Sequence, residues 1–137
     1  MSMSFYIKIF YTLVWASLRF TSTDTPKAKL FILREREFWG SSVSIIIQGK
    51  KIAELSQNRY IEIELPAEST VIEISRNIQE KIEVKAVITL EANKTYYLKV
   101  YRELDYFKDQ LMLGRLGTQS ALQELKHMKK YDFSAIP

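Results

Sequence analysis

Apolar and polar positions alternate most sharply from Lys81 to Glu103. Ile82, Val84, Ala86, Ile88 and Leu90 fall on one side of an extended segment, with Lys81, Glu83, Lys85 and Thr89 on the other. Val87 is the one apolar interruption. A period of two is the mark of a half-buried strand. Past Ala92-Asn93-Lys94, the residues Tyr96, Leu98 and Val100 continue an apolar side while Tyr97, Lys99 and Tyr101 form a second one. Asn tolerates the left-handed backbone of tight turns, so the stretch predicts two long strands closed into a hairpin.

The same reading extends upstream. Residues 27–35 place Ala28, Leu30 and Ile32 against Lys29, Phe31 and Leu33, apolar on both sides, which predicts a central or doubly covered strand. The charge run Arg34-Glu35-Arg36-Glu37 reads as its solvated end, and Phe38-Trp39-Gly40-Ser41-Ser42 as a loop carrying two aromatics. Residues 43–47 and 51–55 are strands about a Gln48-Gly49 turn, with glycine where a type I′ turn prefers it. Residues 59–65 set Ile61, Ile63 and Leu65 against Tyr60, Glu62 and Glu64 before Pro66 stops the ladder. Residues 70–76 follow. Closed as a hairpin, these two strands would bring Ile63 opposite Ile72, Ile61 opposite Ile74 and Glu62 opposite Glu73, with Lys85 or Lys81 as the compensating cation.

Beyond Glu103 the alternation weakens. Residues 111–116 suggest one more short strand, and Ser120 with Gln123 three positions on suggests a capped helix. That helix would carry Leu122, Leu125 and Met128 on one face, and His127, Lys129 and Lys130 in its last turn. Six or seven short strands and one terminal helix predict a mainly β domain, an antiparallel β-sandwich of about seven strands over residues 27–137.

Residues 1–26 differ in kind. Between Lys8 and Arg19 lies IFYTLVWASL, ten apolar or small residues, a length that suits the apolar region of an export signal and is about half of a membrane span. An export signal or uncleaved anchor, an ordered apolar piece of the domain, and a misassigned start all fit this segment. The first makes the protein exported or membrane-associated through residues 5–20; a cytoplasmic location also fits the remainder. TSTDTP, residues 21–26, is a polar linker.

Composition narrows the chemistry. The chain has 137 residues and no cysteine, which removes zinc ribbons, thiol redox chemistry and disulfide frameworks. A net charge of +4, with cations interleaved among glutamates, describes solvated faces rather than a nucleic-acid footprint. His127 is the single histidine, so no Ser-His-Asp arrangement or histidine metal site is specified, and no phosphate-cradling glycine loop is present. Glu103, Asp105 and Asp109 form a small acidic group that reads as solvated loop charge. No catalytic residue, metal or cofactor is expected. Trp39, Tyr97 and Tyr101, the last two flanking Lys99, are the candidate ligand-binding residues for a carbohydrate or small ligand, although paired aromatics also serve as ordinary cross-strand contacts.

The segments AKLFILRE, IIIQGKKIAEL, RYIEIELPAEST and ITLEANKTYYLKV resemble the bacterial family called domain of unknown function 2846. Gln48 stands where that family usually has Asn, Asn93 where it has Gly, and Ala67-Glu68 where it often has Pro-Gly. The Gly-Lys-Lys hairpin before a Leu-Pro strand is similar also to PEGA-type envelope modules. The resemblance implies a small β-sandwich, often exported and often a lipoprotein, without a catalytic motif. This chain has no cysteine to carry a lipid. The expectation is a non-enzymatic interaction or accessory module whose partner is a protein or envelope component.

Overall fold

The structure is a computed structural model and describes residues 25–37, 42–76 and 81–133. In chain order the strands are β1 (Lys27–Arg34), β2 (Val43–Ile47), β3 (Lys50–Leu55), β4 (Arg59–Pro66), β5 (Ser69–Arg76), β6 (Ile82–Thr89), β7 (Thr95–Asp105) and β8 (Lys108–Arg115). A single described helix, α1 (Thr118–Leu125), and a two-residue strand, β9 (Lys129–Lys130), complete the chain. The molecule is mainly β, built as two facing sheets. One has the order β8-β7-β1-β4-β9 and the other β3-β2-β5-β6.

Alternation explains the core. Leu30, Ile32, Ile61, Leu98 and Val100 from the first sheet meet Val43, Ile45, Leu55, Ile72 and Ile74 from the second in one apolar cluster. Each fully buried aliphatic side chain of this kind stabilises the fold by about 1.5–3 kcal/mol. β1 holds the centre of its sheet, with β4 antiparallel on one side and β7 parallel on the other. Its outward Leu33 is fully buried as well, as expected of a doubly covered strand.

Five sequence expectations are corrected. The stretch 81–103 is not a hairpin: β6 pairs with β5, whereas β7 crosses to the other sheet and pairs with β1 and β8. Asn93 does take a positive φ of 63°, but its N–H bonds to Lys27 O and the turn throws the chain from one layer to the other. β4 and β5 are likewise in different sheets. Glu62 therefore faces Phe31 and is held by Lys29 and Lys130, while Glu73 faces Lys85. With nine described strands and parallel pairs at β1–β7 and β4–β9, the first sheet is mixed rather than antiparallel.

The fourth correction is Arg34, which is 2% exposed rather than solvated. It continues the inward series Ala28, Leu30, Ile32, so period two carries it into the interior. The fifth concerns the helix. It begins after Gly117 with no side-chain cap, Ala121 is its buried residue, and Leu122 is half exposed. Lys129 and Lys130 lie not in its last turn but in β9 beside Arg59 and Tyr60. The Gln48-Gly49 turn matches its expectation, with φ of 51° and 77°. The apolar segment before residue 25, the loop at 38–41 with Trp39, and the turn at 77–80 lie outside the described residues.

Candidate functional site

Of the residues singled out by sequence, Trp39 lies outside the described residues, and Tyr97 and Tyr101 pack on different neighbours. Tyr97 is only 8% exposed and stacks on Phe31 at 5.0 Å, and Tyr60 approaches Phe31 from the far side at 6.1 Å. The register sets this row: Phe31 pairs with Tyr97, and Leu33 with Tyr60. Lys99, between the tyrosines, reaches Glu35 at 3.1 Å and Glu124 of α1 at 2.8 Å, tying the helix to the outer face of β7. Burial pushes the Lys99 ammonium down, but the hydrogen bonds and charge of Glu124 and Glu35 prevail and raise it above the ordinary lysine value. Tyr101 is half-buried, its ring lying 3.2 Å from where a Cβ at Gly114 would sit. It covers the glycine of the neighbouring strand. His127 is exposed, and its carbonyl accepts from Asn58 Nδ2 at 3.0 Å.

Of the acidic group, Asp109 is not a solvated loop charge but part of an ionic bridge. Asp109 receives Arg76 Nη1 at 3.2 Å and Arg102 Nε at 2.5 Å, and Arg76 Nε reaches Glu83 at 2.9 Å. Arg76 belongs to β5 and Asp109 to β8, so this contact spans the two sheets at their open side. Partial burial pushes the Asp109 carboxyl up, but the two guanidinium groups outweigh it and hold the group below the usual aspartate value. Deeper in, Arg34 Nη2 meets Glu37 Oε2 at 3.3 Å, with the Glu37 side chain 9% exposed. Burial lowers the Arg34 pKa and Glu37 opposes this, while Arg76 and Arg102 add to the lowering. Among the described residues, no group of three or more His, Cys, Asp or Glu is arranged to hold a metal ion.

Beside this ionic bridge, residues 81–86 and 109–113 line a shallow cleft of about 570 Å³. β6 and β8 end their sheets here, so the cleft runs between two strand edges. Beyond it the β7–β8 ladder continues until Asp105 pairs with Lys108, leaving Tyr106-Phe107 as a two-residue tip. Tyr106 is 97% exposed, Phe107 96% and Leu104 74%. Three large apolar side chains are thus left exposed within four consecutive positions of the chain. Sequence reading missed this tip because the weak alternation after Glu103 concealed the length of β7 and β8. The signal was the Tyr-Phe pair at the midpoint between two segments of matching length.

No protein-family model matches the chain, and no curated protein is similar to it by sequence.

Proposed function

We propose that this protein is a non-enzymatic, envelope-associated β-sandwich that acts as an interaction or accessory module, with the β7–β8 tip as its contact point. The observation that carries the reading is the near-complete exposure of Tyr106 and Phe107 at the end of the two-stranded β7–β8 arm. Aromatic side chains are effective anchors because they bury a large area at low conformational cost. An apolar pocket on a protein or envelope component fits this tip. The apolar run between Lys8 and Arg19, as an export signal or anchor, supports placement at the envelope. The likeness to the domain of unknown function 2846 family, carried by segments such as LEANKTYYLKV, points the same way.

A photo-crosslinking residue at position 106 tests the contact in cells that make the protein. A discrete adduct in the envelope fraction, lost on Phe107→Ser, is the expected result; absence of any adduct sinks the proposal. Mass spectrometry of the mature chain tests placement, and an intact Met1 in a soluble cytoplasmic fraction counts against export.

A further inference from the structure

We infer that the outer edge of β8 pairs with the same edge of a second copy, about a two-fold axis at Met112, to form one continuous sheet across two molecules. The argument starts from the backbone. Leu116 N–H donates to Tyr97 O at 2.9 Å. In an antiparallel ladder the direction of the backbone groups alternates, so Gln110, Met112 and Gly114 bond inward to β7. Asp109, Leu111, Leu113 and Arg115 therefore aim their N–H and C=O groups away from it. Among the described residues β8 is the last strand of its sheet, so no described strand pairs with that row, which faces the cleft beside β6.

Strand edges are normally protected by charge or by brevity. β9, at the opposite end of this sheet, has two residues. β3 carries Lys50, Lys51 and Glu54, and β6 carries Glu83 and Lys85. The middle of β8, from Gln110 to Gly114, holds no charge and no proline.

The edge is also self-complementary in one register. Two strands related by a perpendicular two-fold keep their faces, and only residues with outward backbone groups exchange bonds. With the axis at Met112, Leu111 meets Leu113 of the second copy and Asp109 meets its Arg115, each pair exchanging two N–H···O bonds. Moving the axis to Leu111 sets Asp109 against Leu113. Moving it to Leu113 sets Leu111 against Arg115. Both shifts place a charge opposite a leucine and forfeit the ion pair. Arg115 is exposed, lying over the Tyr96 ring at 5.0 Å, and Asp109 keeps 38% of its side chain exposed. In this arrangement each tip lies about 20 Å from the axis, at about 3.4 Å per residue.

Sedimentation velocity of the full chain over a concentration series, combined with amide hydrogen exchange, tests the pairing. The expected result is a dimer whose population grows with concentration, with exchange slowing at Asp109, Leu111, Leu113 and Arg115. Met112→Lys sets two ammonium groups across the axis and Arg115→Asp sets two carboxylates opposite each other. Each is expected to weaken the dimer about tenfold or more while leaving the thermal transition of the monomer in place. Arg115 is at the surface, so its variant keeps the test open if Met112→Lys folds poorly. A chain that stays monomeric throughout overturns the proposal. So does an oligomer indifferent to both variants, or protection confined to β3 or β6.

Discussion

At the scale of single residues, side chains that look like turn or surface choices make structural contacts beyond their own strand. Gln48 accepts from Val71 N–H at 2.9 Å and donates to Ser69 O at 3.2 Å, extending the β2–β5 ladder past the end of β2. Gln48→Asn gains left-handed turn preference but cannot span that distance. It should lower stability by about 1 kcal/mol, read from the denaturant midpoint. Arg34→Ala leaves the buried Glu37 carboxylate without its guanidinium and should cost about 3 kcal/mol, with Glu37→Gln in the same chain recovering part of the loss. Asp109 has its pKa depressed in the folded protein. Its contribution is therefore present above the unfolded aspartate value, about pH 3.9, and disappears as pH falls through the lower folded value. Asp109→Asn should reduce stability at neutral pH and flatten the acid limb of the stability profile. Added salt should shrink the difference, because the group is partly exposed.

At the scale of elements, alternation reports which side of a strand is buried and says nothing about which strand lies beside it. A hairpin and a crossing between layers satisfy the same pattern, and for that reason β2–β3 was legible while 81–103 was not. Gln48-Gly49 has the two consecutive positive φ values of a type I′ hairpin, whereas Asn93 supplies one. The burial of Arg34 was present in the parity of β1 but hidden by its charged neighbours. The helix departs from its expected face because it lies against β7, where Ala121, a small side chain, permits close approach. Of the candidate site, the tyrosines were visible in the sequence, yet their roles were not: Tyr97 packs on Phe31 and Tyr101 on Gly114. The tip is a separable element. Phe107→Ser should abolish the adduct formed by the crosslinker at position 106 while changing stability by no more than about 0.5 kcal/mol, measured by thermal denaturation.

At the scale of the whole molecule, four crossings, after β1, β3, β4 and β6, stitch the layers so that neither sheet is a continuous piece of chain. A fragment ending at residue 93 retains β1–β6 but loses β7, one of the two neighbours of β1. It should show no cooperative unfolding transition by circular dichroism, whereas the full chain unfolds in one step. The parallel pairing of β1 with β7, from Lys29 with Thr95 to Arg34 with Val100, also bears on how the chain is made. During synthesis β1 emerges before every other strand, and its apolar residues wait for partners that leave the ribosome much later. Non-local pairing of this kind is slow. The first sheet is therefore completed only after β7 has been made, late in translation, whereas the β2–β3 and β5–β6 pairs can form as soon as their own segments emerge.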